Sequence, residues 1–174
     1  MCCMNNSSMS IIDSKILREK IKDNSIRIVD VRREQDYQLG HITNAVNLPL
    51  AKLLADDSVE SIQKIAQDLG ISDETSVVIY DDTFGALSSR VVWALQYIGH
   101  KDAKLLDVTF SQWKALGYEI STEVPEIESA THSIKENKEI MATAEYLEKV
   151  KENKNVVIID NRERLNYLEQ HIPG

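Results

Sequence analysis

One passage of the sequence occurs twice, with a constant separation of 130 positions between the copies. The paired positions, first copy before second, are residues 28–32 (IVDVR) and 158–162 (IIDNR), Tyr37 and Tyr167, and His41 and His171. Equal spacing across three separate matches indicates a duplicated domain rather than chance. The first copy continues well beyond its histidine, whereas the second stops at Gly174. We therefore expect one whole domain followed by the truncated start of another.

The composition narrows the choice of partners. The net charge of −8 over 174 residues argues against nucleic acid and anionic membranes, because both attract a basic patch that this sequence lacks. No apolar run approaches the roughly 20 residues that a membrane helix needs. We expect neither a nucleic-acid partner nor a membrane partner.

The beginning of the sequence, residues 1–9, reads as a disordered polar tail, since it has neither the basic nor the apolar region of a signal peptide. This tail contains the only two cysteines, Cys2 and Cys3. A single adjacent pair predicts no disulfide framework, and the default expectation is a reducing, cytoplasmic setting. A reactive thiol needs a fixed electropositive pocket, which a polar terminus does not supply.

Apolar strands alternate with amphipathic helices along the first copy. The predicted strands are residues 26–31, 46–48, 76–80 and 103–106, and the predicted helices are residues 13–22, 34–39, 58–69, 87–98 and 111–116. The strands are apolar on both sides, which is typical of a parallel sheet that helices cover on both faces. The fold class is therefore α/β.

The sequence changes character after residue 118. Residues 119–139 hold six Glu against two Lys and show no apolar period, which predicts a solvated linker. We place the first domain at residues 10–122 and an acidic linker at 123–142. The incomplete second copy then occupies residues 143–174, with one predicted helix and one predicted strand, at 143–151 and 156–160.

Three passages resemble the domains of tandem rhodanese sulfurtransferases. They are residues 28–49, which include Gly40-His41-Ile42, residues 80–100, which begin Tyr80-Asp81-Asp82, and residues 106–122. The first resembles the opening signature of a rhodanese domain, and the other two resemble the non-catalytic N-terminal domain of two-domain enzymes. The family is the thiosulfate or 3-mercaptopyruvate sulfurtransferases, and the resemblance implies a rhodanese-like domain over about residues 13–122.

Most residues of this signature have structural roles in our interpretation. Asp30 and Arg32 stand at the end of a strand at period two, on the same side, and are predicted to form a charge pair that pins the following turn. His41 follows a turn glycine and has no Cys or Ser nucleophile to serve, so a hydrogen-bonded structural role is predicted. The other signature residues are Arg90 and, in the second copy, Asp160, Arg162 and His171.

The resemblance implies a chemistry that the first copy lacks. In active rhodaneses a cysteine heads a loop of inward-pointing backbone N–H groups, which lowers the thiol pKa and holds the persulfide. Here either Asp81, counted from Tyr80, or Asp82, counted back from Gly85, stands in the place of that cysteine. A carboxylate cannot carry a sulfane sulfur and repels an anionic donor. We predict no catalytic residue, no cofactor and no metal site, and a chain that is inactive by itself.

Two hypotheses of different classes follow. In the favoured one the chain is part of a tandem sulfurtransferase, its partner is the missing catalytic rhodanese domain, and a small sulfur-donor anion binds only to the full-length enzyme. That enzyme would pass sulfane sulfur from thiosulfate or 3-mercaptopyruvate to an acceptor such as cyanide or a thiol. In the alternative the chain is a stand-alone, non-catalytic interaction or regulatory module. Phosphatase chemistry on a related fold needs a Cys-x5-Arg loop, which the sequence does not contain.

Overall fold

The chain divides into two compact units, residues 1–138 and residues 139–174. The structure is a computed structural model that describes residues 10–22 and 26–168.

Some predictions fall outside the described residues. These are the polar tail over residues 1–9, its cysteines Cys2 and Cys3, and the second-copy histidine His171. Among the described residues, no helix is both long enough and apolar enough to cross a membrane.

A parallel sheet forms the centre of the first unit. Its described strands are, in chain order, β1 (Ser10–Ile12), β2 (Arg27–Asp30), β3 (His41–Ile42), β4 (Ala45–Asn47), β5 (Val77–Tyr80), β6 (Ala103–Leu106) and β7 (Ile120–Ser121). Five of them pair in parallel in the order β1-β6-β5-β2-β4, which places β5 in the middle. The short strands β3 and β7 pair antiparallel beside this sheet.

Helices cover both faces of the sheet. The described helices of this unit are α1 (Ser14–Ile21), α2 (Glu34–Gln38), α3 (Leu50–Ala55), α4 (Val59–Asp68), α5 (Ser88–Tyr97) and α6 (Phe110–Ala115). Successive strand residues face opposite sides. Val77 and Ile79 therefore join a core cluster with α3, α4 and α5, whereas Val78 and Tyr80 join a second cluster with α1 and α6. The predicted α/β fold with helices on both faces is confirmed.

Local capping sets several of these boundaries. Asp13, Ser58 and Thr109 cap α1, α4 and α6 with their side chains, and each accepts a backbone N–H of the first turn. Every strand and helix that the sequence predicts in this unit is present, with bounds within one residue of those predicted. The sequence did not predict α3, β1, β3 or β7, because segments of two to six residues are too short to show a period.

The acidic segment after β7 packs on the first unit. We call residues 127–137 the strap. Three strap amides donate to carbonyl groups at the carboxyl ends of α4 and α5: Ala130 to Gln67 (3.0 Å), Lys135 to Ile98 (2.9 Å) and Asn137 to Tyr97 (2.8 Å). Ile127 packs against the core and His132 is buried. The prediction of a solvated linker over residues 123–142 is therefore wrong for the strap, because two helix ends have unpaired carbonyl groups that need donors. The first unit reaches Lys138.

The described part of the second unit contains two short helices. After a 3-10 turn over Lys138–Ile140 come α7 (Ala144–Val150), which Thr143 caps, and α8 (Arg164–Tyr167). The predicted strand over residues 156–160 does not form, and residues 139–168 contain no strand. Val157 and Ile159 are 80% and 82% exposed. A strand exists only where a neighbour pairs its N–H and C=O groups, and residues 139–168 contain no such neighbour.

Candidate active-site loop

The loop singled out by the sequence begins at the carboxyl end of the central strand β5. It runs from Asp81 to Leu87 and leads into α5. In open parallel sheets, ligands bind at this edge. The sequence leaves Asp81 and Asp82 as alternatives for the key position of the loop. The structure separates them, because Asp81 is 2% exposed and turned into the loop, whereas Asp82 is exposed.

The Asp81 carboxylate accepts five hydrogen bonds from its own loop and from the first residue of α5. The backbone N–H groups of Thr83 and Gly85 donate to Oδ1, and those of Leu87 and Ser88 donate to Oδ2, each at 2.9 Å. The Ser88 hydroxyl donates to Oδ2 at 3.1 Å. We call the four backbone donors the cradle. Converging backbone N–H groups at the amino end of a helix form an anion site, and the anion here is a side chain of the chain itself.

The cradle holds Asp81 in its ionised form. Burial by itself raises the pKa of a carboxyl group, but the backbone donors, with Ser88 first among them, outweigh it and lower the pKa of Asp81 below its ordinary value. A second anion is excluded, since two negative charges about 4 Å apart repel by roughly 4 kcal/mol at an effective dielectric constant of about 20. A carboxylate also has no sulfur atom with which to form a persulfide.

The rest of the loop is held by Asp82 and by an unusual backbone turn. Asp82 accepts the backbone N–H of Ser111 at 2.9 Å and its hydroxyl at 2.7 Å, which ties the loop to α6. Burial raises the pKa of Asp82, but these bonds from Ser111 outweigh it and lower the pKa. Phe84 and Gly85 have φ values of 55° and 89°, and these left-handed residues turn the chain around the Asp81 carboxylate. The Phe84 ring is exposed.

Asp30 and Arg32 form a buried ion pair at the end of β2. The Arg32 Nε lies 3.0 Å from each carboxylate oxygen of Asp30, and the Arg32 backbone N–H donates to Asp30 Oδ1 at 2.9 Å. The Arg32 Nη2 donates to Asp30 Oδ2 and, at 2.7 Å, to the carbonyl oxygen of Gly40. The guanidinium lies over the Phe110 ring, 3.7 Å from its centroid. The pair thus joins the end of β2 to the turn at Gly40.

Tyr80 completes this network, a role that the sequence did not predict. Its hydroxyl donates to Asp30 Oδ2 at 2.6 Å and accepts the backbone N–H of Ile42 at 3.0 Å. Burial, and then the charge of Asp30, raises the pKa of Tyr80 well above its ordinary value, so the hydroxyl stays protonated. A tyrosine at the end of an otherwise apolar buried strand is the available signal, because a buried hydroxyl needs partners.

His41 is fully buried between backbone carbonyl groups. Its Nδ1 lies 2.9 Å from the carbonyl oxygen of Tyr37 and its Nε2 lies 3.1 Å from that of Glu123. The imidazole also stacks on the Tyr37 ring, with 3.8 Å between centroids. Both ring nitrogens are engaged, so His41 links α2 to the segment that follows β7.

The remaining signature residues have partners outside the loop. Arg90, on α5, donates to Asp57 at 2.9 Å and lies over the Trp93 ring. In the second unit, Arg162 contacts Asp160, and both residues are exposed. Among residues 10–22 and 26–168, no group of three or more His, Cys, Asp and Glu side chains is placed to hold a metal ion.

Comparison with known proteins shows the family of this chain. The structure matches that of a 3-mercaptopyruvate sulfotransferase, SseA from Escherichia coli, with a TM-score of 0.81 over 92% of this chain and 68% of that one, at 20% identity. At that identity the match shows the fold. The rhodanese-like domain family matches residues 13–116. The chain belongs to the rhodanese-like domain family.

Relatives of known name are similar over much of this chain. The sulfur carrier protein TtuD of Thermus thermophilus is 27% identical over 179 residues, which cover 94% of this chain and 62% of that protein. The thiosulfate sulfurtransferase of Rattus norvegicus is 24% identical over 181 residues, which cover 91% of this chain and 61% of the rat protein. The thiosulfate sulfurtransferase of Bos taurus is 31% identical over 102 residues, which cover 58% of this chain and 34% of the bovine protein. The chain thus spans less than two thirds of the length of these relatives.

Proposed function

We propose that the first unit is the non-catalytic domain of a two-domain sulfurtransferase, and that a second rhodanese domain supplies the persulfide-forming cysteine. The observation that carries this proposal is the Asp81 carboxylate in the cradle, where it fills the anion site with a group that cannot hold sulfur. The names of the relatives suggest that the sulfur donor is thiosulfate or 3-mercaptopyruvate. The sulfur acceptor would be cyanide or a thiol.

The second unit supports this arrangement. It repeats the Asp-x-Arg pair of the first unit at Asp160 and Arg162 and then begins a helix, α8, at the position that corresponds to α2. Two signatures in one chain, and relatives that are longer than the chain, favour a tandem protein over a single domain. Cysteine usage favours a reducing, cytoplasmic setting for it.

The chemistry divides into two displacements. A cysteine thiolate attacks the outer sulfur of the donor, forms an S–S bond, and expels sulfite from thiosulfate or pyruvate from mercaptopyruvate after protonation. The acceptor then attacks the terminal sulfur, and the thiolate leaves. The cradle of the first unit holds no nucleophile for either step, so the contribution of this unit is to fold as a rigid partner for the domain that holds the cysteine.

A turnover assay on two proteins tests the proposal. The 174-residue chain should show no thiosulfate:cyanide or mercaptopyruvate:thiol transfer, whereas the longer protein encoded by the gene should be active. In the longer protein, a Cys→Ser change in the second loop should abolish turnover, and Asp81→Ala should leave the persulfide chemistry in place. Turnover by the short chain that is lost on replacing Cys2 and Cys3 would contradict the proposal.

The alternative is a stand-alone interaction module. The filled cradle is compatible with it, but the second signature favours the tandem enzyme. The reading frame downstream separates the two: a continuation that encodes a cysteine-headed loop supports the enzyme, and an immediate stop codon supports the module.

A further inference from the structure

The start of α6 holds the first two residues of the loop. The Phe110 backbone N–H donates to the carbonyl oxygen of Asp81 at 3.0 Å. The Ser111 backbone N–H donates to the Asp82 carboxylate at 2.9 Å. The first N–H groups of a helix have no acceptor within the helix, so both bonds use donors that would otherwise be unpaired. The position of α6 therefore determines where the backbone of Asp81 lies.

Arg32 in turn holds the ring of Phe110. The central carbon of the Arg32 guanidinium lies 3.7 Å from the centroid of this ring, which is van der Waals contact. The carbonyl oxygen of Gly40 accepts from the Arg32 Nη2 at 2.7 Å, and a Cβ at Gly40 would lie 3.9 Å from the Phe110 Cζ. The Phe110 side chain is buried. A cation over an aromatic face is also attracted to the ring, so packing and charge both fix its position.

Tyr80 connects the beginning of the loop to the same ion pair. It directly precedes Asp81, and its hydroxyl donates to Asp30 at 2.6 Å. Its ring stacks with that of Phe110, with 6.2 Å between centroids. Both oxygens of Asp30 lie 3.0 Å from the Arg32 Nε. The residue before the loop and the residue that holds the loop thus contact one ion pair.

We propose that Arg32 is a positioning residue for the loop. By holding the Phe110 ring it fixes the start of α6, and the start of α6 fixes the backbone of Asp81. The side chain at this position then points into the cradle. The ion pair of Asp30 and Arg32 therefore serves the loop as well as the turn at Gly40.

The second copy extends this role to the reaction. Asp160 and Arg162 repeat the pair with nearly the same local geometry. In a complete second domain, Arg162 would position the loop that carries the persulfide-forming cysteine. This extension rests on the proposed function, whereas the role of Arg32 in the first unit does not.

A ¹³C NMR titration of the Asp81 carboxyl group in the complete chain tests the role of Arg32. Burial raises the pKa of this group, and the converging backbone donors outweigh it, so the pKa lies below its ordinary value. Phe110→Leu removes the flat ring but keeps the charge of Arg32. The donors should then converge less well, and the pKa of Asp81 should rise toward about 3.9. Amide exchange at Gly85 should quicken by about tenfold, as expected for the loss of one hydrogen bond.

Tyr37→Phe is the matched control. The Tyr37 hydroxyl donates to the carbonyl oxygen of Ala45 at 2.8 Å, and Tyr37 belongs to the same core cluster as Phe110. This variant loses a buried hydrogen bond and stability, but it should leave the pKa of Asp81 unchanged. A wild-type pKa and wild-type exchange in Phe110→Leu would overturn the proposal. An equal rise of the pKa in the control would overturn it too.

A second variant decides the question if Phe110→Leu does not fold. Arg32→Lys keeps a positive charge opposite Asp30 but lacks the planar fork that lies over the ring. The pKa of Asp81 should rise in this variant as well. A folded Arg32→Lys variant with the wild-type pKa would overturn the proposal.

Turnover of the longer protein tests the extension separately. Arg162→Lys should lower kcat by about 10- to 100-fold, because a small displacement of the reacting group is costly. If the longer wild-type protein transfers no sulfur, the proposed function and the extension both fail, and the result on Arg32 stands. If that protein is active and Arg162→Lys keeps the wild-type kcat, the extension alone is overturned.

Discussion

Arg162 donates from its Nε to both carboxylate oxygens of Asp160, at 3.0 and 2.8 Å, although both residues are exposed. The buried pair of Arg32 and Asp30 has nearly the same geometry, with both distances at 3.0 Å. In each unit the arginine backbone N–H also donates to the aspartate, and a short helix follows. The Asp-x-Arg arrangement is therefore local in origin. The complete fold buries the pair, and burial increases the contribution of the pair to the unfolding free energy.

Replacing the two arginines should separate these contributions. Arg32→Met leaves the Asp30 carboxylate buried and unpaired, and breaking a buried pair in this way costs about 3–5 kcal/mol of unfolding free energy. Arg162→Met removes the exposed pair and should leave the unfolding midpoint unchanged. Urea titrations followed by the fluorescence of the buried Trp113 would measure both. Equal effects would show that burial of the network is not the source of its stability.

Emptying the cradle should create an anion site. Asp81→Ala leaves four backbone N–H groups without an acceptor, which should lower the unfolding free energy by about 2 kcal/mol. Sulfate or thiosulfate should then raise the melting temperature of the variant with concentration, through binding to the folded state. Asp82→Ala is the matched control, because its carboxylate contacts Ser111 outside the cradle. If anions stabilise Asp82→Ala, or do not stabilise Asp81→Ala, then the Asp81 carboxylate is not the anion that occupies the cradle.

The same carboxylate should contribute to acid sensitivity. Because the pKa of Asp81 is lowered in the folded state, the unfolded chain binds more protons in the window between the ordinary value, about 3.9, and the lower folded value. The stabilisation by Asp81 is complete above that window and is lost as the pH falls through it. Asp81→Asn should flatten the decline of unfolding free energy between about pH 5 and pH 3. Parallel curves for wild type and variant would contradict this.

Two glycines allow a matched test of strap docking. Gly99 and Gly117 both have positive φ, at 99° and 72°. A Cβ at Gly99 would meet the carbonyl oxygen of Lys135 at 2.5 Å, whereas a Cβ at Gly117 has nothing within 4 Å. Both Ala variants should show the backbone cost of about 1 kcal/mol, but only Gly99→Ala should also release the strap. Proteolysis within residues 123–138 should rise in Gly99→Ala alone. Equal cleavage of both variants would exclude this close approach.

The sheet could be predicted from the sequence because its strands are continuous apolar runs. Residues such as Val77 to Tyr80 are buried on both faces, so their composition alone identifies them, and the glycines and caps between them mark the helix ends. The strap could not be predicted, since its role depends on backbone donors and on unpaired carbonyl groups elsewhere in the chain. Composition showed only the six Glu of residues 119–139, which suggested a solvated segment.

In the second copy, by contrast, the sequence predicts a strand that does not form. Residues 156–160 have the composition of a buried strand, but strand formation depends on neighbours that the described part of the second unit does not contain. The candidate loop was predicted only in part. The sequence predicts a carboxylate in the place of a cysteine, and only the hydrogen bonds of Asp81 and Asp82 distinguish the one inside the cradle from the one outside it.

Mass spectrometry of the chain after treatment with thiosulfate most directly tests the proposal that the first unit is non-catalytic and that a second domain supplies the cysteine. We expect no added sulfur on the loop peptide that contains Asp81 and no transfer to cyanide. A persulfide at Cys2 or Cys3 that cyanide discharges and thiosulfate restores in repeated cycles would contradict it.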